Sequence, residues 1–199
     1  MQALGADFYA RPVLEVARDL IGCTVEHAGV AGVIVETEAY HESEPACHAF
    51  VGLTPRTSTL FGPPGRAYVY LSYGIHALLN AVCEPEGVGA AVLIRALQPT
   101  AGVERMRLRR LSAAGTTGRP SSDEHLCSGP GKLTQALGVS LPDNDSDLSS
   151  GGVHIRPATT GWRGPAIVAG PRIGISRAVE LPWRFCVAGN PHVSRPRLG

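Results

Sequence analysis

Alternating apolar and polar positions are the main regularity along this chain, and they predict strands. The stretch V-I-V-E-T-E-A-Y at residues 33–40 is the clearest case. Strand side chains return to the same face at every second position, so Glu36, Glu38 and Tyr40 are expected to share one face with Ile34. Two carboxylates and a tyrosine side by side in a hydrophobic strand are the first candidates for a functional site.

Two hairpins are predicted where strand patterns flank turn residues. Residues 23–40 turn at Ala28-Gly29, and residues 67–83 turn near Tyr73-Gly74. Further strands are expected at residues 90–97, 153–157, 166–176 and 184–188.

Three helices are predicted, at residues 11–21, 102–111 and 127–138. The third has Ser128 as a candidate N-cap and Gly138 as a candidate end. Strands outnumber helices, and most connections are too short for the crossovers that parallel strands require. We therefore expect an α+β fold, with a mainly antiparallel sheet or open barrel and flanking helices.

Length and composition fit a single domain over residues 1–199. Hydrophobic residues make up 44% of the chain and charged residues 18%, which permits a sizeable core. Five widely spaced cysteines without a C-x-x-C pair predict reduced thiols. No apolar run reaches about 18 residues, and the chain does not begin with a signal-peptide pattern, so we expect a cytoplasmic protein that does not associate with membranes.

Charge is nearly balanced overall, at +1, but it is unevenly distributed. The first fifty residues carry a net −6 and the last 49 a net +6. This polarity predicts either a basic face that meets a polyanion or scattered solubilising arginines. The only lysine, Lys132, follows S-G-P-G at a predicted helix start, a pattern typical of either a phosphate contact or a plain capped helix.

The paired carboxylates allow three interpretations. Their Cα atoms would lie about 6.6 Å apart on a strand, which could suit the acid/base pair of a sugar glycosidase. Alternatively, one carboxylate is a buried base while the other pairs with a cation, or both lie on the exposed face of an edge strand. Arg95 is isolated in a hydrophobic strand and needs an acidic partner, for which Glu36 or Glu38 is the natural candidate.

Aromatic residues form a second candidate site. Tyr68, Tyr70 and Tyr73 are three of the five tyrosines, which fits either ordinary strand propensity or a stacking pocket for a flat ligand. Asn80, on the return strand, would face that pocket. We expect no metal, because the spacing of the following residues matches no standard zinc pattern: His41, Cys47, His48, His125 and Cys127.

The order of these motifs resembles the alkyladenine (3-methyladenine, or N-methylpurine) DNA glycosylase family. The run is V-E-T-E-A-Y, A-C-H-A-F, T-P-R, G-P-P-G-R-A-Y-V-Y-L-S-Y-G-I-H, L-L-N, L-I-R-A-L and L-C-S-G-P-G-K-L, and the likeness extends from Phe8 to about Ser194. The resemblance implies a monofunctional, cofactor-free enzyme that excises alkylated or deaminated purines from duplex DNA in base excision repair. Such enzymes flip the base out of the stack. We expect a monomer that acts on double-stranded DNA at the bacterial nucleoid.

The resemblance implies roles for the chemistry. Glu38 matches the general base that activates water for attack at C1′ of the sugar. Arg95 and the backbone carbonyl of Val187 match groups that hold this water. Glu36 is interpreted as a structural partner of an arginine.

The resemblance also implies roles in binding. Tyr40, His48 and Tyr70 match the pocket that stacks the flipped base, and Asn80 matches the residue that crowds the 2-amino group of guanine. Tyr73, at a hairpin tip, matches the wedge that enters the minor groove. Lys132 and its helix start, which includes Ser128, match a phosphate anchor.

The chain departs from the family pattern near the DNA-facing side. Thr57 follows Arg56 where asparagine is expected, Leu53 stands where a basic residue is common, and Ile75 stands where methionine is frequent. Three rival functions remain: a sugar glycosidase, a nucleic-acid-binding module whose tyrosines stack bases, and a catalytically inactive homologue that binds damaged DNA.

Overall fold

The computed structural model describes residues 2–114, 122–159 and 166–198. Within these residues, eight strands form one antiparallel sheet: β1 (Thr24–His27), β2 (Val30–His41), β3 (Ala67–Ser72), β4 (His76–Val82), β5 (Ala90–Ala101), β6 (Val153–Arg156), β7 (Ile167–Gly170) and β8 (Arg184–Val187). The helices are α1 (Ala6–Tyr9), α2 (Val13–Asp19), α3 (Val103–Ala114), α4 (Asp123–Leu126) and α5 (Pro130–Leu137). The predicted α+β class with an antiparallel sheet is confirmed.

The sheet is built around the long strand β2. Its main path runs β3-β4-β5-β2-β1-β6, and β8 also pairs with β2 while β7 pairs with β8. Thus β5 covers one edge of β2, and β1 and β8 share the other edge. The strand with the two carboxylates is therefore central, not an edge strand.

Both predicted hairpins are present, and each turn uses left-handed backbone. Ala28 and Gly29 have φ of 46° and 77°, and Tyr73 and Gly74 have φ of 51° and 72°. Two consecutive residues with positive φ form the tight turn that matches the twist of paired strands. The second hairpin therefore holds Tyr73 at its tip.

Irregular register bends β2 and β5 where the candidate site lies. Register shifts between these strands fall at Ile34/Glu36 and at Glu36/Thr37. Bulges of this kind increase local twist and curl the sheet into an open half-barrel. Ile34 and Val35 are both buried in the hydrophobic core, so the predicted alternation is interrupted just before Glu36.

Helix α2 packs against one face of β2. The Oγ1 of Thr37 donates a hydrogen bond to the carbonyl of Ala17 in α2, so the face of β2 away from Glu36 and Glu38 packs on this helix. The prediction that Ser128 caps α5 was wrong. The N-cap is Gly129, no side chain caps the helix, and Ser128 instead forms a backbone bridge with Ala96. Gly138, with φ of 78°, ends α5 as predicted.

Other boundaries differ modestly from the sequence predictions. The strand expected at 166–176 ends at Gly170, because Pro171 follows and has no N–H to donate to a sheet. All five cysteines are free, as predicted, and all five are buried. Among the described residues no helix is long and apolar enough to cross a membrane.

Candidate active site

Glu38 lies completely buried on β2 and accepts three hydrogen bonds. Its Oε1 accepts from the backbone N–H of Ile173 at 2.7 Å. Its Oε2 accepts from the hydroxyl of Tyr40 at 2.8 Å and from Nη1 of Arg95 at 3.1 Å. All three donors belong to residues that line one large cavity. Glu38 therefore lies directly beneath the floor of this cavity.

Glu36 is also completely buried, but its partners differ. Its Oε1 accepts hydrogen bonds from Nε of Arg95 at 3.0 Å, from Nε of Arg184 at 2.7 Å and from the hydroxyl of Ser194 at 2.8 Å. Its Oε2 accepts from the backbone N–H of Ser194 at 2.7 Å. Glu36 does not line the large cavity. It therefore ties β2 and β5 to β8 and the C-terminal segment.

The two carboxyl groups are shifted in opposite directions. Burial raises the pKa of Glu38, and this effect exceeds the lowering by Arg95, the Ile173 amide and the Tyr40 hydroxyl. Burial alone would also raise the pKa of Glu36, but the guanidinium groups of Arg95 and Arg184 together with Ser194 lower it. Separated pKa values in neighbouring acids are typical of a site in which one acid reacts and the other is structural.

Aromatic side chains line the cavity above Glu38. The rings of Tyr68 and Tyr70 stack with centroids 5.3 Å apart, and the His48 ring meets Tyr70 edge-on at 4.6 Å. Nδ1 of His48 lies 3.1 Å from the hydroxyl of Tyr68. Burial and the nearby Arg56 lower the pKa of His48, and burial raises the pKa of Tyr70 to about 12. The rings of His48 and Tyr70 are therefore uncharged at neutral pH.

The cavity has a volume of about 660 Å³, which suits a nucleoside-sized ligand. Of the sequence-predicted residues, Tyr40, His48, Tyr70, Tyr73, Asn80 and Arg95 all line it. Its charged lining among the described residues consists of Arg56, Arg95 and Arg177, without any carboxylate. Aromatic walls together with arginines favour a flat ligand attached to an anionic chain.

Asn80 is held rigidly in the cavity wall. Its Nδ2 donates hydrogen bonds to the carbonyl of Tyr68 at 3.0 Å and, more weakly, to that of Leu78 at 3.5 Å. The side chain is 5% exposed. A buried amide fixed in this way sets the shape of the cavity at that point.

A second, smaller cavity adjoins the first. It has a volume of about 380 Å³ and shares Arg95 with the larger cavity. Ser128 and Lys132 line it, and the start of α5, at Pro130 and Gly131, lines the larger cavity. Its other cationic or ionisable residues are His125, Arg195 and Arg197. The predicted phosphate anchor therefore lies next to the aromatic cavity.

The structure does not bring Val187 into the site. This residue lies on β8 opposite Ile167, and its carbonyl accepts a hydrogen bond from the backbone N–H of Asn190 at 3.3 Å. It lines neither cavity. Ile173 instead borders both the cavity and Glu38. Sequence reasoning placed residues 166–176 in a strand and so gave no reason to expect a functional turn there.

Arg172 is a second residue that sequence reasoning missed. Its guanidinium binds both carboxylate oxygens of Glu44, at 2.6 and 2.9 Å, and the carbonyl of Ala39 at 2.9 Å. It also lies 4.6 Å from the centroid of the Tyr40 ring. Arg172 therefore fixes Tyr40 and the turn that carries Ile173. The signal was available, because Arg172, like Arg95, is an isolated charge in an apolar stretch.

The histidines and cysteines of the sequence do not converge. Among the described residues no group of three or more His, Cys, Asp or Glu side chains could hold a metal ion. His41 bonds Ser43 through Nδ1, and His48 bonds Tyr68. Candidate chemistry therefore rests on the carboxylate, the arginine and the aromatic walls.

Comparison with known proteins agrees with this site. The family model described as Methylpurine-DNA glycosylase (MPG) matches residues 7–191. A protein of Rhodopseudomonas palustris named "Putative 3-methyladenine DNA glycosylase" is 53% identical over 97% of this chain and 91% of its own length. Proteins of the same name from Bradyrhizobium diazoefficiens and Nitrosospira multiformis are 51% and 48% identical, over 95% and 96% of this chain and 89% and 92% of their own lengths. The chain belongs to the methylpurine-DNA glycosylase family, whose enzymes are hydrolases that cleave N-glycosyl bonds in DNA.

Proposed function

We propose that this protein is a monofunctional glycosylase that excises alkylated and deaminated purines from duplex DNA by base flipping and water attack at C1′. It acts as a monomer and as one glycosylase domain, without a cofactor. The observation that carries the proposal is the buried Glu38 beneath an aromatic cavity, held by three groups that all line that cavity. A base inside a duplex cannot reach such a floor, so the nucleotide must leave the stack.

In the proposed mechanism, Glu38 takes a proton from water as the water oxygen bonds to C1′. The N-glycosidic bond breaks, and its electron pair leaves with the purine. A purine alkylated at N3 or N7 departs without negative charge, so little help to the leaving group is needed. Positive charge develops on the sugar, and the anionic Glu38 carboxylate stabilises it. Arg95 and the backbone N–H of Ile173 orient Glu38.

Water is the proposed nucleophile rather than a lysine. The chain has a single lysine, and Lys132 lines the smaller cavity rather than the aromatic one. A lysine that forms a Schiff base must reach the reacting carbon. This placement supports a monofunctional reaction that leaves an intact abasic site.

The side chains that line the aromatic cavity are proposed to select damaged purines over normal ones. Tyr40, His48 and Tyr70 stack and orient the flipped base, and the fixed Asn80 crowds the 2-amino group of normal guanine. Tyr73 at the hairpin tip is 89% exposed, and we assign it to the minor groove and the vacated place in the stack. The inactive-homologue alternative is not favoured, because all three donors that hold Glu38 in position are present.

Base release tests the proposal. Duplexes with one hypoxanthine or one ethenoadenine, and methylated DNA, are incubated with the protein in EDTA, and free bases are separated by chromatography. We expect release of at least one damaged purine and alkali-labile sites in the same strand. Tight duplex binding without any released base would instead support a binding module.

Replacing Tyr40 by phenylalanine is expected to move the acidic limb of the pH–rate profile to higher pH. The Tyr40 hydroxyl lowers the pKa of Glu38, so its loss raises that pKa further. Because the ionised form of Glu38 is the base, the rate then falls at a higher pH. Single-turnover rates between pH 4.5 and 8 measure the shift, and an unchanged limb would contradict the link between Tyr40 and Glu38.

Replacing Lys132 by alanine is expected to weaken binding to all duplexes alike, with or without a lesion. One lost phosphate contact lowers the slope of log Kd against log salt by about 0.9. Fluorescence anisotropy at several salt concentrations measures both quantities. A loss confined to lesion-containing duplexes would contradict the phosphate assignment.

A further inference from the structure

Exposed hydrophobic side chains concentrate in two segments of the molecule. Ten large hydrophobic side chains are exposed among the described residues, and six of them belong to only two segments. One segment is the hairpin end, with Leu71, Tyr73 and Ile75. The other, which we call the rim loop (residues 50–53), carries Phe50 at 49%, Val51 at 75% and Leu53 at 69% exposure. Clustered exposed apolar side chains mark interaction sites, whereas scattered ones do not.

Residues that line the aromatic cavity flank the rim loop in the sequence. The loop lies between His48 and Arg56, and both of these residues line the cavity. The hairpin end lines the same cavity through Leu71 and Tyr73. Thus two separate elements, distant in sequence, present apolar side chains to solvent around one opening.

Hydrogen bonds hold the rim loop in one shape. The N–H of Phe50 donates to the carbonyl of Cys47 at 3.2 Å, and the Oγ1 of the buried Thr57 donates to the carbonyl of Gly52 at 2.9 Å. Gly52 has φ of 84°, which favours glycine at this turn. The loop therefore holds its apolar side chains outward without relying on a hydrophobic neighbour.

The surroundings indicate the chemistry of the partner. Arg56 follows the loop, and the charged lining of the cavity among the described residues is wholly cationic. A surface that combines apolar projections with cations suits the base and sugar surfaces of a duplex together with its phosphates. Proteins that bend DNA insert apolar side chains between base steps in this way.

We propose that the rim loop is a second apolar wedge, which contacts the DNA duplex beside the flipped nucleotide in addition to the hairpin tip. This inference rests on the proposed function. Phe50, Val51 and Leu53 would pack against bases and sugars that become exposed when the nucleotide leaves the stack. Two wedges around one cavity would keep the duplex from closing on the vacated position.

The test compares the triple variant Phe50→Ser/Val51→Ser/Leu53→Ser with the wild type and with Leu108→Ser. Leu108 lies on α3, is 65% exposed and lines neither cavity, so it matches Leu53 in type and exposure. The probe is a duplex that contains a tetrahydrofuran abasic analogue, which cannot be cleaved. We expect the triple variant to bind at least about tenfold more weakly, which is at the lower end of measured stacking contacts. The slope of log Kd against log salt should not change, because no charge is removed.

Thermal unfolding first confirms that the triple variant folds, which is expected because all three side chains are exposed. An affinity equal to that of Leu108→Ser would overturn the wedge. Sedimentation that shows the wild type to associate, and the triple variant not to, would overturn it too, since a second copy would then cover the loop. Failure of the wild type to bind the duplex at all would remove the proposed function and the wedge together.

Discussion

Replacing Glu38 by glutamine is expected to lower the single-turnover rate of base release by about 10²- to 10⁴-fold, the range that a general base contributes. Glutamine has nearly the same shape, but it cannot take a proton from water, and its single amide oxygen replaces only one of the two oxygens that accept from Ile173 and Arg95. Affinity for the lesion duplex should remain within about threefold, because the aromatic walls and both cationic cavities are unchanged. Chemical quench and anisotropy measure the rate and the affinity.

The stability of this variant provides an independent check. A carboxyl group whose folded pKa is raised stabilises the fold at low pH and loses that contribution as pH rises through the folded pKa. The pKa of Glu38 is raised, so Glu38→Gln should gain stability relative to the wild type as pH rises from about 4 to 7. Full activity in this variant would remove Glu38 from the mechanism.

Replacing Glu36 by glutamine is expected to lower the free energy of unfolding at neutral pH by about 3 to 5 kcal/mol, as is typical when one partner of a buried ion pair is removed. The guanidinium group of Arg184 would lose its pairing with the Glu36 carboxylate in a dry environment, and that of Arg95 would keep only Glu38 of its two carboxylate partners. Urea denaturation measures the change. The rate loss should follow the unfolded fraction, unlike that of Glu38→Gln.

The stability of Glu36→Gln relative to the wild type should depend on pH in the opposite way to that of Glu38→Gln. The folded pKa of Glu36 is lowered, so its stabilising contribution is present above the unfolded value and disappears as pH falls through the folded pKa. The difference in the free energy of unfolding between the wild type and Glu36→Gln should therefore become smaller below about pH 4.3. Glu26→Gln is the matched control, because the Glu26–Arg156 pair is about one-third exposed and should contribute less than about 1 kcal/mol. Equal losses in the two variants would contradict the buried network.

Local sequence patterns predicted the structure correctly where one physical effect dominates. Alternation placed Glu36, Glu38 and Tyr40 on one face, and Ala28-Gly29 and Tyr73-Gly74 marked both hairpin turns. The isolated Arg95 was predicted to pair with an acidic residue, and it pairs with both Glu36 and Glu38. These features follow from strand geometry, from the φ angles that tight turns need, and from the cost of burying a charge.

Features that depend on distant segments could not be predicted in this way. The contact of Ile173 with Glu38 depends on which part of the chain after β7 folds over Glu38, and no local pattern specifies that. Likewise, the Glu44–Arg172 pair joins residues far apart in sequence. Ser128 resembled an N-cap, but its backbone pairs with Ala96, and the N-cap of α5 is Gly129.

The most direct test of the central claim is the pH–rate profile of excision for the wild type and for Glu38→Gln. A duplex with 7-methylguanine is the substrate, because this base leaves without needing a proton. For the wild type we expect the single-turnover rate to fall as pH drops through one ionisation above the ordinary glutamate value, since burial raises the pKa of Glu38. For Glu38→Gln we expect a low residual rate without that ionisation. The same acidic limb in both proteins would show that another group is the base.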